Sequence, residues 1–211
     1  MLIQKDGDET RVLASRMIAA GGLVAFRTDT FYGLGADPFN HDALRAVKAL
    51  KGRDGGKPIL VVISDVEVAE RLVAEMSLLF QVVSRRHWPG ALTLVAAARR
   101  EVPEDLTAET GTIGVRLPDD DAVRAIIRSC GGALTATSAN PAGDKPARTA
   151  TQVARYFPEG LDLIIDGGES EADSPSTVLD VVNAPARLIR EGVVRRRELE
   201  ETLRSAGASL V

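Results

Sequence analysis

Short apolar runs alternate along this chain with longer stretches whose apolar residues recur every three or four positions, the pattern of an α/β domain. The runs predict strands at Leu23–Phe26, Pro58–Ile63, Leu92–Ala96, Thr112–Leu117, Ala133–Thr137, Leu161–Ile165, Thr177–Val182 and Arg187–Arg190. The amphipathic stretches predict helices over Arg11–Ala20, Asp42–Lys51, Val66–Ala74, Ser77–Arg86, Asp120–Cys130, Ala150–Tyr156 and Arg196–Ser205. The helix over Asp42–Lys51 is the clearest: Ala43, Val47 and Leu50 share a face, and Asn40 stands where an N-cap belongs. Strands crowd the C-terminal half more densely than a doubly wound unit needs. The expectation is therefore one α/β domain, a twisted mixed sheet flanked by helices with an open basic pocket at the strand ends. No repeat, linker or composition break divides it. Its core spans about residues 10–195, followed by a C-terminal helix at about 196–206.

Composition narrows the chemistry. Among 211 residues there is one cysteine, Cys130, and two histidines, His41 and His87, which excludes a disulfide framework and any Cys- or His-built metal centre. Apolar runs such as Ile59–Ile63 fall far short of the ~20 residues of a membrane span, and the first ten residues carry no apolar signal core. A soluble, cytoplasmic protein with no membrane partner is expected. The formal charge of −4 argues against bulk nucleic-acid binding but leaves room for a local basic pocket.

Standard nucleotide signatures fail. Gly52-Arg53-Asp54-Gly55-Gly56-Lys57-Pro58 is one residue short of the P-loop spacing and has Pro58 where a metal-binding hydroxyl belongs. Gly33-Leu34-Gly35 lacks the third glycine of a dinucleotide fingerprint. HExxH and GxSxG are absent, so positioning by cations is the chemistry to look for.

Four places offer it, each with a plainer reading beside the functional one. In Thr112-Ile113-Gly114-Val115-Arg116-Leu117, Thr112, Gly114 and Arg116 share a face with a glycine leaving room for a ligand; from this strand alone, an edge arginine facing water is the better reading. Arg190 closes its strand as a surface charge or a pocket cation. Lys51-Gly52-Arg53 and Lys57 form a glycine-rich turn that could grip phosphates, and equally an ordinary helix C-cap. Thr135-Ala136-Thr137-Ser138-Ala139-Asn140 and Thr28-Asp29-Thr30-Phe31-Tyr32 each run from a strand into small hydroxyls, the former leading to Lys145 and Arg148. Together they suggest an anion pocket. Tyr32 walls it or packs, and packing is the expectation.

These residues resemble, in order, the motifs of the YrdC-like family, which makes threonylcarbamoyl-AMP. Thr28-Asp29-Thr30-Phe31-Tyr32-Gly33-Leu34-Gly35 resembles its TDTxYGLG, Lys51-Gly52-Arg53 its KxR, Lys57-Pro58-Ile59 its KPL and Trp88-Pro89-Gly90-Ala91-Leu92-Thr93 its WPGxLT. Thr112 to Pro118 resembles TxxVRxP, Ser138-Ala139-Asn140 the SxN signature, Ser176-Thr177-Val178-Leu179-Asp180 the STVxD strand and Arg190-Glu191-Gly192 the RxG close. The set covers about residues 15–195. Departures are Arg27 and Asp54 for prolines, Pro175 for a glutamate and Val62 for a histidine found in some members. The chain ends before the extra C-terminal domain of longer members.

The resemblance implies an L-threonylcarbamoyladenylate synthase that joins L-threonine, bicarbonate and ATP with Mg²⁺. It would serve tRNA modification through partner threonylcarbamoyl transferase proteins. It implies Lys51 and Arg53 as catalytic cations and Lys51, Arg53, Lys57, Thr112, Ser138, Asn140, Arg148 and Arg190 as the ATP site. Threonine would meet Thr28, Thr30, Arg116 and the backbone of Ala136, with either hydroxyl of the Thr28/Thr30 pair as the contact. No protein metal ligand is implied. Two other readings stand beside it. One is a paralogue with another substrate. The other is a non-catalytic RNA-binding protein using Arg85-Arg86-His87, Arg99-Arg100 and Arg195-Arg196-Arg197, although these clusters fit solvated helix ends and loops and aromatics for stacking are few.

Overall fold

Polar caps start the helices where the apolar spacing begins. In the computed structural model of the chain, which describes residues 1–52 and 57–211, the first half runs β1 (Leu2–Lys5), α1 (Asp8–Ala19), β2 (Val24–Arg27), β3 (Tyr32–Gly35), α2 (His41–Leu50), β4 (Val61–Ile63), a 3-10 segment (Val66–Arg71), α3 (Leu78–His87) and β5 (Leu92–Ala97). The second half runs α4 (Glu104–Thr107), β6 (Thr112–Arg116), α5 (Asp121–Ser129), β7 (Ala133–Thr135), β8 (Thr137–Ser138), α6 (Ala150–Tyr156), β9 (Leu163–Asp166), β10 (Thr177–Asp180), β11 (Arg187–Arg190) and α7 (Arg196–Ser205). Side chains of Asn40, Ser77, Asp120 and Thr149 accept from the third residue beyond them and so cap α2, α3, α5 and α6.

The mixed sheet divides into two within this α/β domain. One has the order β1-β9-β2-β3-β8, the other β11-β10-β5-β6-β4-β7. In the five-stranded sheet two parallel pairs (β1 with β9, β9 with β2) are followed by two antiparallel ones, whereas in the six-stranded sheet parallel pairs (β10 with β5, β4 with β6) alternate with antiparallel ones. The stretch read as one strand, Ala133–Thr137, is the joint between them. Thr135 pairs with Val61 in the six-stranded sheet, Thr137 pairs with Leu34 in the five-stranded one, and Ala136 is the crossing residue.

Two unpredicted strands explain themselves. β1 buries no side chain, so it has no inside-outside alternation to read. β3 is Tyr-Gly-Leu-Gly, poor in strand formers, but a Cβ on Gly35 would sit 2.7 Å from the Phe26 ring, so glycine is what lets β2 and β3 pair here. The helix expected over Val66–Ala74 is a 3-10 segment ending at Arg71. It carries two β-branched valines and buries only Ala69, too little apolar face to hold an α-helix.

Helices cover the outer faces. α1 and α5 place Ala14, Ile18, Ile126 and Ile127 against Phe26, Leu134 and Ile165. A larger cluster gathers Leu34, Leu44, Phe80, Leu94 and Leu199 on the opposite side. Each fully buried side chain of this size contributes ~1.5–3 kcal/mol, enough to hold polar side chains between the sheets.

Candidate functional site

A groove of about 1300 Å³ lies between the sheets. Its floor is one face of the six-stranded sheet, since alternate residues Thr112, Gly114 and Arg116 of β6 line it with Thr93 and Val95 of β5. The groove thus runs across a sheet face as well as past strand ends. The glycine keeps the floor low: a Cβ on Gly114 would meet Leu60 Cδ2 at 2.4 Å and Thr93 Cγ2 at 3.2 Å.

One end is closed by the turn between β2 and β3. Thr28 Oγ1 accepts from the Thr30 N–H at 3.1 Å and donates to the Phe31 carbonyl at 2.8 Å, a self-bonded turn that fixes both hydroxyls. Arg116 reaches them from below. Its Nη1 donates to Thr30 Oγ1 at 3.1 Å, its Nη2 lies 3.4 Å from Thr28 Oγ1, and Nη1 is also 3.1 Å from Asp29 Oδ1. The edge-strand reading of Arg116 is overturned. β6 is flanked on both sides by strands, β5 and β4, and the Arg116 side chain is only 6% exposed. A guanidinium held in this way presents a fixed fork to an anion.

Behind the wall stands Lys51. It is the C-cap of α2, as the plainer reading held, and Gly52 follows at φ +60°, where glycine is favoured. Yet Lys51 is 1% exposed, and its Nζ donates to the Ser138 carbonyl, with Ser138 Oγ and Asn140 Oδ1 each at 3.4 Å. Asn140 in turn donates to the Pro141 and Asp144 carbonyls at 2.8 Å. Lys51 and Asn140 therefore brace the 138–144 turn, while Ser138 and the neighbouring Lys57 line the groove. Arg53 lies outside the described residues.

The remaining cations rim the open side. Arg190 clasps the Ser176 carbonyl through Nε at 3.1 Å and Nη2 at 2.8 Å, with Ser176 Oγ bonded to Thr93 Oγ1 at 3.1 Å. Partial burial, then the positive charge of Arg116, lower the Arg190 pKa from its ordinary value. The two guanidiniums face a shared space. Arg148 donates to the Ser170 carbonyl at 2.9 Å and pairs with Asp173 at 3.4 Å, on a segment that borders the groove. That segment is fastened underneath: Ser170 Oγ donates to the Thr30 carbonyl, and Tyr32 donates to the Gly168 carbonyl at 2.8 Å. Tyr32 is fully buried, as expected of a packing residue, and burial pushes its phenol up to about 12.

Lining therefore brings together Thr28, Thr30, Lys57, Thr112, Arg116, Ala136, Ser138, Arg148 and Arg190 from the sequence-predicted set. The Ala136 N–H is committed to the Leu60 carbonyl at 2.8 Å. Asp29 and Ser176 stand inside quoted motifs without a site role assigned to them, and residues 167–174 carry no motif. Asp29 was visible between two singled-out threonines, whereas nothing local marks Ser170 as a fastener. Of the basic clusters, Arg196 and Arg197 pair with Glu200 and Glu201 along α7, the solvated helix-end arrangement expected of them.

Comparison with known proteins gives the family and the fold. The model of the family named for Sua5, YciO and YrdC, described as "Telomere recombination", matches residues 16–192. Threonylcarbamoyl-AMP synthase of Marinobacter nauticus is 37% identical over 81% of this chain and 90% of its own length. The Pyrococcus abyssi threonylcarbamoyl-AMP synthase is 34% identical over 90% of this chain but only 56% of its own length. A crystal structure of P. abyssi Sua5 complexed with L-threonine superposes with a TM-score of 0.91 at 31% identity, covering 100% of this chain and 61% of that one.

Proposed function

The chain belongs to the Sua5/YciO/YrdC family, and on that premise we propose that it is an L-threonylcarbamoyladenylate synthase. The observation that carries the proposal is the buried Arg116 fork beside the Thr28 and Thr30 hydroxyls, at one end of a groove rimmed by cations. In this reading Arg116 takes the threonine carboxylate, with Thr28, Thr30 and the backbone around Ala136 shaping the same end. The threonine amine attacks the bicarbonate carbon and water leaves, forming a carbamate. A carbamate oxygen then attacks the α-phosphorus of ATP, the bond to the bridging oxygen breaks, and pyrophosphate departs with its electrons.

Nothing in that sequence calls for a strong acid or base. Orientation of two anions and neutralisation of charge are enough. Lys57, Arg190 and Arg148 would meet the triphosphate, with Thr112 and Ser138 completing the nucleotide contacts. Arg53 would act with Lys51, and Lys51 and Asn140 would hold Ser138 in place. ATP enters as its magnesium complex, and the ion offsets triphosphate charge. The ion would be carried in on the phosphates of the nucleotide, with no dedicated protein cage required. No helix is long and apolar enough to cross a membrane among the described residues, and we place the enzyme in the cytoplasm, supplying threonylcarbamoyl-AMP to a tRNA-modifying transferase.

Pyrophosphate release from Mg·ATP, with threonine and bicarbonate omitted in turn, tests this. Release that needs both supports the synthase. Release indifferent to threonine would point to another substrate for the same groove, and no release would leave salt-dependent RNA binding as the reading to measure.

A further inference from the structure

A buried carboxylate needs a reason. Asp29 sits in the turn between β2 and β3 with its side chain 8% exposed, and among the described residues its Oδ1 has no hydrogen bond. Its compensation is the Arg116 guanidinium, 3.1 Å from Oδ1, while Oδ2 receives only a long contact of 3.4 Å from the Asp119 N–H. Burying a charge with so few hydrogen bonds is costly, and one ion pair offsets that cost only in part. The partner is the cation proposed to bind threonine, and a second guanidinium, Arg190, faces the same space.

We propose that Asp29 is a positioning and selectivity residue for the Arg116 end of the groove. Its carboxylate anchors the Nη1 edge of Arg116 together with the Thr30 hydroxyl, so the fork keeps one orientation. It also cancels one of two neighbouring positive charges. The pocket then suits a singly charged carboxylate and disfavours a phosphate dianion, which keeps the triphosphate and the released pyrophosphate out of the amino-acid end. This inference rests on the synthase reading above.

The test is a titration of threonine and of ATP for wild type, Asp29→Asn and Asp29→Glu, repeated with inorganic phosphate added. In Asp29→Asn, the KM for threonine rises roughly tenfold, the scale of one charged contact, while the KM for ATP stays near wild type. Phosphate becomes a competitive inhibitor against threonine. Asp29→Glu keeps the charge, so its threonine KM rises less and phosphate stays ineffective. Unchanged threonine KM and no phosphate inhibition in Asp29→Asn would overturn the proposal, as would an equal rise in both KM values, which marks general damage. If a thermal melt finds Asp29→Asn unfolded, Asp29→Glu decides alone: phosphate competition in that variant overturns the proposal, and its absence with a raised threonine KM supports it. Lack of threonine-dependent release in wild type is a failure of the synthase reading, recognisable before any variant is made.

Discussion

The two ends of the groove are built on opposite plans. At the Thr28–Thr30 end, Arg116 rises from an interior strand, is almost wholly buried and has its partners fixed by a self-bonded turn. At the other end, Lys57 is exposed and Arg148 reaches out to a partner, Asp173, that is itself 91% exposed. The difference matches what each end is proposed to hold. A small amino acid offers few contacts, so its site must be organised before it arrives. A triphosphate carries enough charge to gather exposed cations around itself.

Variants can break that comparison, beginning at the buried end. Arg116→Ala removes the fork and strands the Asp29 carboxylate. Threonine kcat/KM should fall by roughly 100-fold or more, about 3 kcal/mol, with Arg116→Lys intermediate because a point charge replaces a fork. Threonine titrations of pyrophosphate release read this directly, and an Arg116→Ala enzyme with ordinary threonine dependence would equalise the two ends.

Lys51→Ala and Arg53→Ala should both abolish turnover, but their melts should differ. Lys51→Ala leaves Ser138 and Asn140 acceptors unpaired in a buried place and costs about 1–3 kcal/mol of stability. Arg53→Ala is expected to leave the melt unchanged. Equal melting of both variants would remove the bracing role from Lys51.

A smaller effect tests the fastening of the 167–176 segment. Tyr32→Phe removes the donor to the Gly168 carbonyl and should cost about 1 kcal/mol at neutral pH. Because burial raises the Tyr32 pKa above its ordinary 10 to about 12, the folded state holds its proton more tightly than the unfolded chain. Stability from this group is therefore complete below pH 10 and declines as the pH rises towards 12, by an amount of order 2 kcal/mol. Melting curves across that window should fall more steeply for wild type than for Tyr32→Phe. Asp173→Ala is the mildest change. It breaks an exposed pair worth about 0–1 kcal/mol, so the KM for ATP should move no more than a few-fold.

Much of this was readable from local pattern, and what was not has a common cause. The caps of α2, α3, α5 and α6 and the shared face of Thr112, Gly114 and Arg116 follow from side chains a few residues apart. Whether Arg116 faces water depends instead on β5 and β4 flanking β6, pairings set by residues 15 to 21 and 54 positions away. The same holds for the division into two sheets, since nothing in Ala133–Thr137 announces that its ends belong to different ladders. β1 escaped notice because its side chains face solvent, and β3 because its glycines answer to the Phe26 ring across the sheet. The ordered motifs point to the groove's lining, whereas Ser170 lies outside all of them and acts through a contact with Thr30 that no motif spacing encodes.

The crossing at Ala136 makes the groove a joint before it is a container. The five-stranded sheet brings Ser138 and the turn bearing Thr28 and Thr30, and the six-stranded sheet brings Thr112, Arg116 and Arg190. Neither sheet owns a complete grip. A chain in which only one had formed would be blind to its ligands, so ligands hold the docked pair alone. At a hundred times its dissociation constant, a ligand of that kind adds about 2.7 kcal/mol to the folded state. In this architecture bound reactants would clamp the two sheets together, and the folded state is most stable while the groove is occupied.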